Sequence, residues 1–87
     1  VDSKLLQWTD SKVALVEFIY AIYAGKCFNN GNTSLKDIAF CCEILFNIEI
    51  GDFYRIFLEI RNRKKSRTQF LDKLKDKIQK MMEELDR

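Results

Sequence analysis

The sequence predicts an all-α fold of four helices in one domain, and three observations carry that prediction. Pro is absent and Gly occurs only three times in 87 residues, so the strongest helix breaker is missing throughout. In the later stretches, apolar residues recur at i, i+3, i+4 and i+7, the period of an amphipathic helix. Those stretches are separated by short turn-forming segments around Gly25, Asn30-Gly31 and Gly51. A chain of this length builds one core but not two. With 47% hydrophobic and 13% aromatic residues it can bury enough apolar surface to fold, which argues against disorder.

Helix one is expected to begin near Thr9, whose hydroxyl can cap free N–H groups, with Trp8 at N′ packing on Val13 at N4 as a hydrophobic staple. It then runs from Val13 to Ala24, and Gly25 follows as a left-handed C-cap. Apart from Glu17, positions 13–24 are apolar on every face. A helix of that kind is central to its fold. In so small a domain it also points to a further contact, with a partner chain or a missing part of a longer protein. Glu17 is then a candidate buried carboxylate that needs a basic or backbone partner.

Residues 25–33 form a turn, with Asn30-Gly31 as its strongest signal and Cys27-Phe28 extended at most briefly. Helix two starts at Ser34, paired weakly with Asp37 as a cap, and runs to about Phe46. Leu35, Ile38, Ala39, Cys42, Leu45 and Phe46 fall on its one apolar face. Asn47 to Gly51 is a short connection. Helix three covers about Asp52 to Lys64, burying Phe53, Ile56, Phe57 and Ile60 and presenting Arg55, Glu59 and Asn62 opposite. Ser66-Arg67-Thr68-Gln69 matches the S-x-x-Q capping box and opens helix four. There Leu71, Leu74, Ile78, Met81 and Leu85 repeat at 3-4 spacing. Two heptads are too few for a coiled coil, so the sequence favours packing inside the bundle. Glu83, Glu84 and Asp86 oppose the macrodipole at the C-terminal end, which is expected to fray.

Several function classes are disfavoured by composition. His is absent, no Gly-rich phosphate loop is present, and no carboxylate pair stands on an apolar background, so no catalytic residues are assigned and an enzyme is the poorest reading. Cys27, Cys41 and Cys42 are an odd set without CxxC spacing or His partners. They are expected to be reduced and structural, with no metal and no cofactor. The longest apolar run, Phe18 to Ala24, is too short to cross a membrane. Residues 1–7 include Asp2 and Lys4 and lack a signal-peptide core, so a soluble cytoplasmic protein is expected.

The charge is unevenly placed. The net charge is +2, yet residues 52–67 alone carry six basic groups against Asp52 and Glu59, while residues 1–51 are net acidic and 68–87 balanced. A helix C-terminus favours one or two cations. Five between 61 and 67 exceed that need and mark a footprint for an anionic partner, nucleic acid first. Helices two and three, joined by a short turn, follow helix-turn-helix logic, with helix three entering the major groove of double-stranded DNA. Arg55 can pair with guanine, Asn62 with adenine, and Glu59 can accept from cytosine. Arg61, Arg63, Lys64, Lys65 and Arg67 would contact phosphates. Asn29 and Asn30 are candidates for backbone contacts from the earlier turn.

The stretch Gly51-Asp52-Phe53-Tyr54-Arg55-Ile56-Phe57-Leu58-Glu59-Ile60-Arg61-Asn62-Arg63-Lys64, followed by Arg67-Thr68-Gln69-Phe70-Leu71, resembles the C-terminal region of the RteC family. Trp8-Thr9 with Lys12, Tyr20-Ala21, Asn29-Asn30-Gly31 and Phe46-Asn47-Ile48 carry the same resemblance, from Leu6 to about Leu85. It implies a C-terminal fragment of a longer regulator of tetracycline-resistance conjugative elements. Such regulators bind DNA upstream of excision genes and activate transcription through a winged-helix-like domain. Here helix four stands where a two-stranded wing would follow helix three. The expected architecture is therefore an all-α, four-helix domain with a helix-turn-helix (winged-helix-like) core. The alternative is a protein–protein interaction or dimerisation module using helices one and four, in which helix one docks on a missing N-terminal region or on a second, self-associating chain.

Overall fold

The computed structural model describes residues 5–87 as four α-helices, α1 Lys12–Ala24, α2 Leu35–Phe46, α3 Phe53–Arg61 and α4 Gln69–Leu85, with a short 3-10 turn at Asn29–Gly31. Asp2 and Lys4 lie outside the described residues, among which no strand occurs and no helix is long and apolar enough to cross a membrane.

α1 is the hub. The principal contacts of α2, α3 and α4 all run to α1. That arrangement explains its apolar surface from within the domain, because three neighbours cover three sides. Leu15, Val16 and Ile19 are fully buried and join Ile38, Ala39 and Cys42 of α2 and Ile60 of α3 in one core. α3 runs back along α1, with the rings of Tyr20 and Phe57 stacked 3.6 Å apart and 4° from parallel. Phe18 and Ile22 instead line an open apolar groove with Phe28, Phe40, Leu45 and Phe46.

The start of α1 differs from expectation. Ser11, not Thr9, is the N-cap, accepting from the Ala14 N–H at 3.0 Å. Trp8 is then too far upstream to staple Val13. Its backbone N–H donates to the Phe46 carbonyl at 2.9 Å, its indole N–H to the Ser11 carbonyl at 2.8 Å, and its ring lies against Phe46 and Phe70. Trp8 thus ties the end of α2 to the start of α4. At the other end, Gly25 is right-handed (φ −78°), and the left-handed residue is Lys26 (φ 55°).

The turn before α2 centres on Asn29 and Asn30, both left-handed, with the Gly31 N–H donating to the Phe28 carbonyl at 2.9 Å. Asn tolerates this conformation better than other side-chain-bearing residues, and Gly31 (φ 86°) continues it without a Cβ penalty. Ser34 caps α2 as expected, accepting from the Asp37 N–H at 3.0 Å. Ile38, Ala39 and Cys42 are buried, but Leu45 is exposed. Asn47 closes α2 in the left-handed conformation, the role Gly usually takes. Between α2 and α3, Ile50 is buried, and its N–H donates to the Glu43 carboxylate at 2.8 Å.

α4 departs most from expectation. Its N-cap is Thr68, and the S-x-x-Q box does not form, because Ser66 is left-handed (φ 58°) and lies outside the cap. The Thr68 hydroxyl donates to the Asp72 carboxylate at 3.2 Å instead of capping the backbone. Phe70 is buried and Leu71 half-buried, but the rest of the apolar stripe does not pack in the bundle and faces outward. The helix nonetheless continues to Leu85 despite its acidic end.

Candidate nucleic-acid interface

The candidate surface is built on α3 and the link that follows it. Asp52 caps α3 by accepting from the Arg55 N–H at 3.2 Å. Half-buried Phe53, Ile56 and Phe57 and buried Ile60 form the inner face, as the spacing predicts. With that face fixed against α1, Arg55, Glu59 and Asn62 point outward together, one turn apart along the helix. No ion pair joins Arg55 to Glu59 among the described residues, so the guanidinium is not tied up on its own helix. Tyr54, Leu58 and Arg61 form a second exposed row beside them. Tyr54 was missed by the charge argument, although its position off the inner face was legible from the helical period.

α3 ends at Arg61, earlier than the expected Lys64, and Asn62 is its C-cap. The basic run therefore lies largely in the link between α3 and α4 rather than on a helix. Arg61, Lys64, Lys65 and Arg67 are exposed. Arg63 is half-buried, and its Nη1 donates to the Ser66 carbonyl at 3.3 Å, which folds the link back on itself. Four of the five clustered cations are thus exposed, while Arg63 also shapes the loop.

Glu17 anchors the start of α4, where this link ends. Its carboxylate accepts from the Phe70 N–H at 3.2 Å and the Leu71 N–H at 2.8 Å, the N2 and N3 positions of α4. The expected backbone partner of a buried carboxylate is therefore the start of α4. A negative charge there also suits the helix macrodipole. Nearby, Lys73 pairs with Asp10 at 3.4 Å. The Ser11 N–H, 2.7 Å from Asp10, holds that carboxyl below its ordinary range, and Lys73 adds to the effect.

Asn29 and Asn30 are exposed but lie past the C-terminal end of α1, whereas the basic link packs beside its N-terminal half. A helix of this length is about 20 Å long, so the two places do not form one patch. Among the described residues, no group of three or more Cys, Asp or Glu is arranged to hold a metal. All three Cys are free; Cys42 is buried, and Cys27 and Cys41 are exposed.

The sequence profile of the RteC family, described as RteC protein, matches residues 1–86. The chain belongs to the RteC family. The match spans α1 to α4, so the basic link and its Glu17 anchor are parts of the RteC unit. Searches of curated proteins and of solved structures gave no significant match to this RteC chain.

Proposed function

We propose that this chain is the DNA-binding domain of a transcriptional activator controlling excision genes of a tetracycline-resistance conjugative element. On this reading it is a binding domain and not an enzyme, and α2 and α3 act as the helix-turn-helix pair. The observation that carries the proposal is the exposed basic segment Arg61, Lys64, Lys65 and Arg67 at the end of α3, which forms no ion pair among the described residues. A duplex laid along it would gain phosphate contacts from the link, while Arg55, Glu59 and Asn62 reach base edges. Membership of the RteC family fits the same reading, since the resemblance to that family implies a DNA-binding regulator of conjugative elements. A second reading, an interaction or dimerisation module using α1 and α4, is favoured by the bare apolar stripe on α4.

The test is fluorescence anisotropy with a duplex from an excision-gene promoter, titrated across salt. Phosphate binding by the link predicts a salt dependence equivalent to about three to six released counterions. Lys64→Glu combined with Lys65→Glu should abolish binding without changing helicity or melting temperature. Absence of binding even at low salt would overturn the proposal.

A further inference from the structure

We propose that α4 pairs with α4 of a second copy of this chain in an antiparallel two-helix contact. Beyond its first turn α4 leaves its own domain, and Leu74, Ile78, Met81 and Leu85 are 40%, 52%, 53% and 75% exposed. Together with half-buried Leu71 they follow the 3-4 spacing of a coiled-coil seam, with Leu71, Ile78 and Leu85 at one set of core positions and Leu74 and Met81 at the other. A contiguous apolar stripe on a soluble surface marks a contact.

Charge selects the occupant and its direction. The positions flanking the seam are Lys77 and Glu84 on one side, Lys75 and Met82 on the other. In a parallel pair Lys77 would sit beside the partner's Met82, and Glu84 would find no cation. In an antiparallel pair with Ile78 against the partner's Met81, and Leu74 against the partner's Leu85, Lys77 lies beside the partner's Glu84. The two-fold axis repeats that ion pair, and flanking charges of this kind set helix orientation. A shifted antiparallel register, with Leu74 against the partner's Ile78, sets Lys77 against Lys77 and demands Leu71, which its own domain already half covers.

The favoured register keeps the two docked helix ends apart. Each docked first turn, with Phe70 and Leu71, extends past the end of the partner helix. The two Phe70 residues lie about 29 Å apart along the paired axis at 1.5 Å per residue. Because Glu17 and Phe70 already hold the start of α4, little further ordering is needed on association. A seam of four side chains per subunit is small, so the dimer should form in the micromolar range rather than be obligate.

Sedimentation equilibrium of the 87-residue chain, without DNA and under reducing conditions, tests this. The wild-type chain should show a monomer–dimer equilibrium, and Ile78→Glu should sediment as a monomer with unchanged melting temperature. Lys77→Glu should weaken dimerisation about tenfold by turning two attractions into repulsions, and adding Glu84→Lys should restore it. A wild-type chain monomeric at every concentration overturns the proposal. So does a dimer that survives Ile78→Glu but is broken by Phe40→Asp in the α1–α2 groove. Failure of the Glu84→Lys rescue overturns the antiparallel register. As no DNA is present, none of these outcomes depends on the DNA-binding reading.

Discussion

The carboxylate of Glu17, in the middle of α1, lies 2.8 Å from the backbone nitrogen of Leu71 and performs the capping that the side chains preceding α4 do not. With the bond to Phe70 it satisfies two N–H groups that would otherwise be orphaned beside the core. Hydrogen bonds to a charged acceptor contribute about 1.5–3 kcal/mol, and buried donors left unpaired add to the loss. Glu17→Ala should therefore lower stability by about 2–4 kcal/mol in urea denaturation. Glu17→Gln, which keeps one acceptor but turns an amide toward the second N–H, should lose about half as much.

Cap positions can be checked directly. Ser11→Ala and Ser34→Ala should each cost about 1 kcal/mol, since each hydroxyl accepts from a backbone N–H at 3.0 Å. Thr9→Ala and Ser66→Ala, at the sites the sequence favoured, should be nearly neutral. Equal losses at Thr9 and Ser11 would contradict the cap assignment.

The three thiols should separate by reactivity. Cys27 and Cys41 are exposed, while burial, helped by the neighbouring Cys41, pushes the Cys42 thiol up to about 11. Iodoacetamide should add two labels to the native chain and three in denaturant, as read by mass spectrometry. The raised value also fixes a sign: the folded state holds the Cys42 proton more tightly than the unfolded state. That contribution is whole below pH 9 and is lost as pH rises toward 11. Tyr20, whose burial raises its value, acts in the same direction. Cys42→Ala should flatten the alkaline fall in stability.

Base and phosphate contacts should respond differently. Arg55→Ala or Asn62→Ala should each reduce the preference for promoter over scrambled duplex by about 1–3 kcal/mol, with the salt slope nearly intact. Lys64→Ala or Lys65→Ala should weaken both duplexes alike and lower the slope by about one each. Arg63→Ala should also loosen the link, because one of its guanidinium N–H groups donates to the Ser66 carbonyl.

The inner faces of α2 and α3 were largely legible because burial and helical period coincide there; Leu45 escaped because the groove beside it is unfilled. Glu17 declared its need for a partner, but the partner stands 53 and 54 positions away, beyond any local pattern. Ser11 lost to Thr9 in the sequence because any hydroxyl near a helix start scores alike. Ile50 and left-handed Asn47 gave no periodic signal, as each acts alone in a connection. For α4 the spacing revealed an apolar face but not what covers it. At the candidate interface, adjacency in sequence kept residues 61–67 together, but it had no power to relate them to Asn29 and Asn30 or to foresee the bond from Arg63 to the Ser66 carbonyl.

A cap supplied from α1 also imposes an order of assembly. During synthesis α1 emerges ahead of α4, so the Glu17 carboxylate stays hydrated until Phe70 and Leu71, 53 and 54 positions later, become available to it. Docking of α4 then belongs to the late side of the folding barrier, since its long loop closes only after the nearer contacts of α1 with α2 have formed. Substitution of Glu17 should speed unfolding and leave the folding rate almost unchanged, a φ-value near zero. Release of α4 would return the Glu17 side chain to water and leave the start of the helix, into which the basic link leads, without its cap.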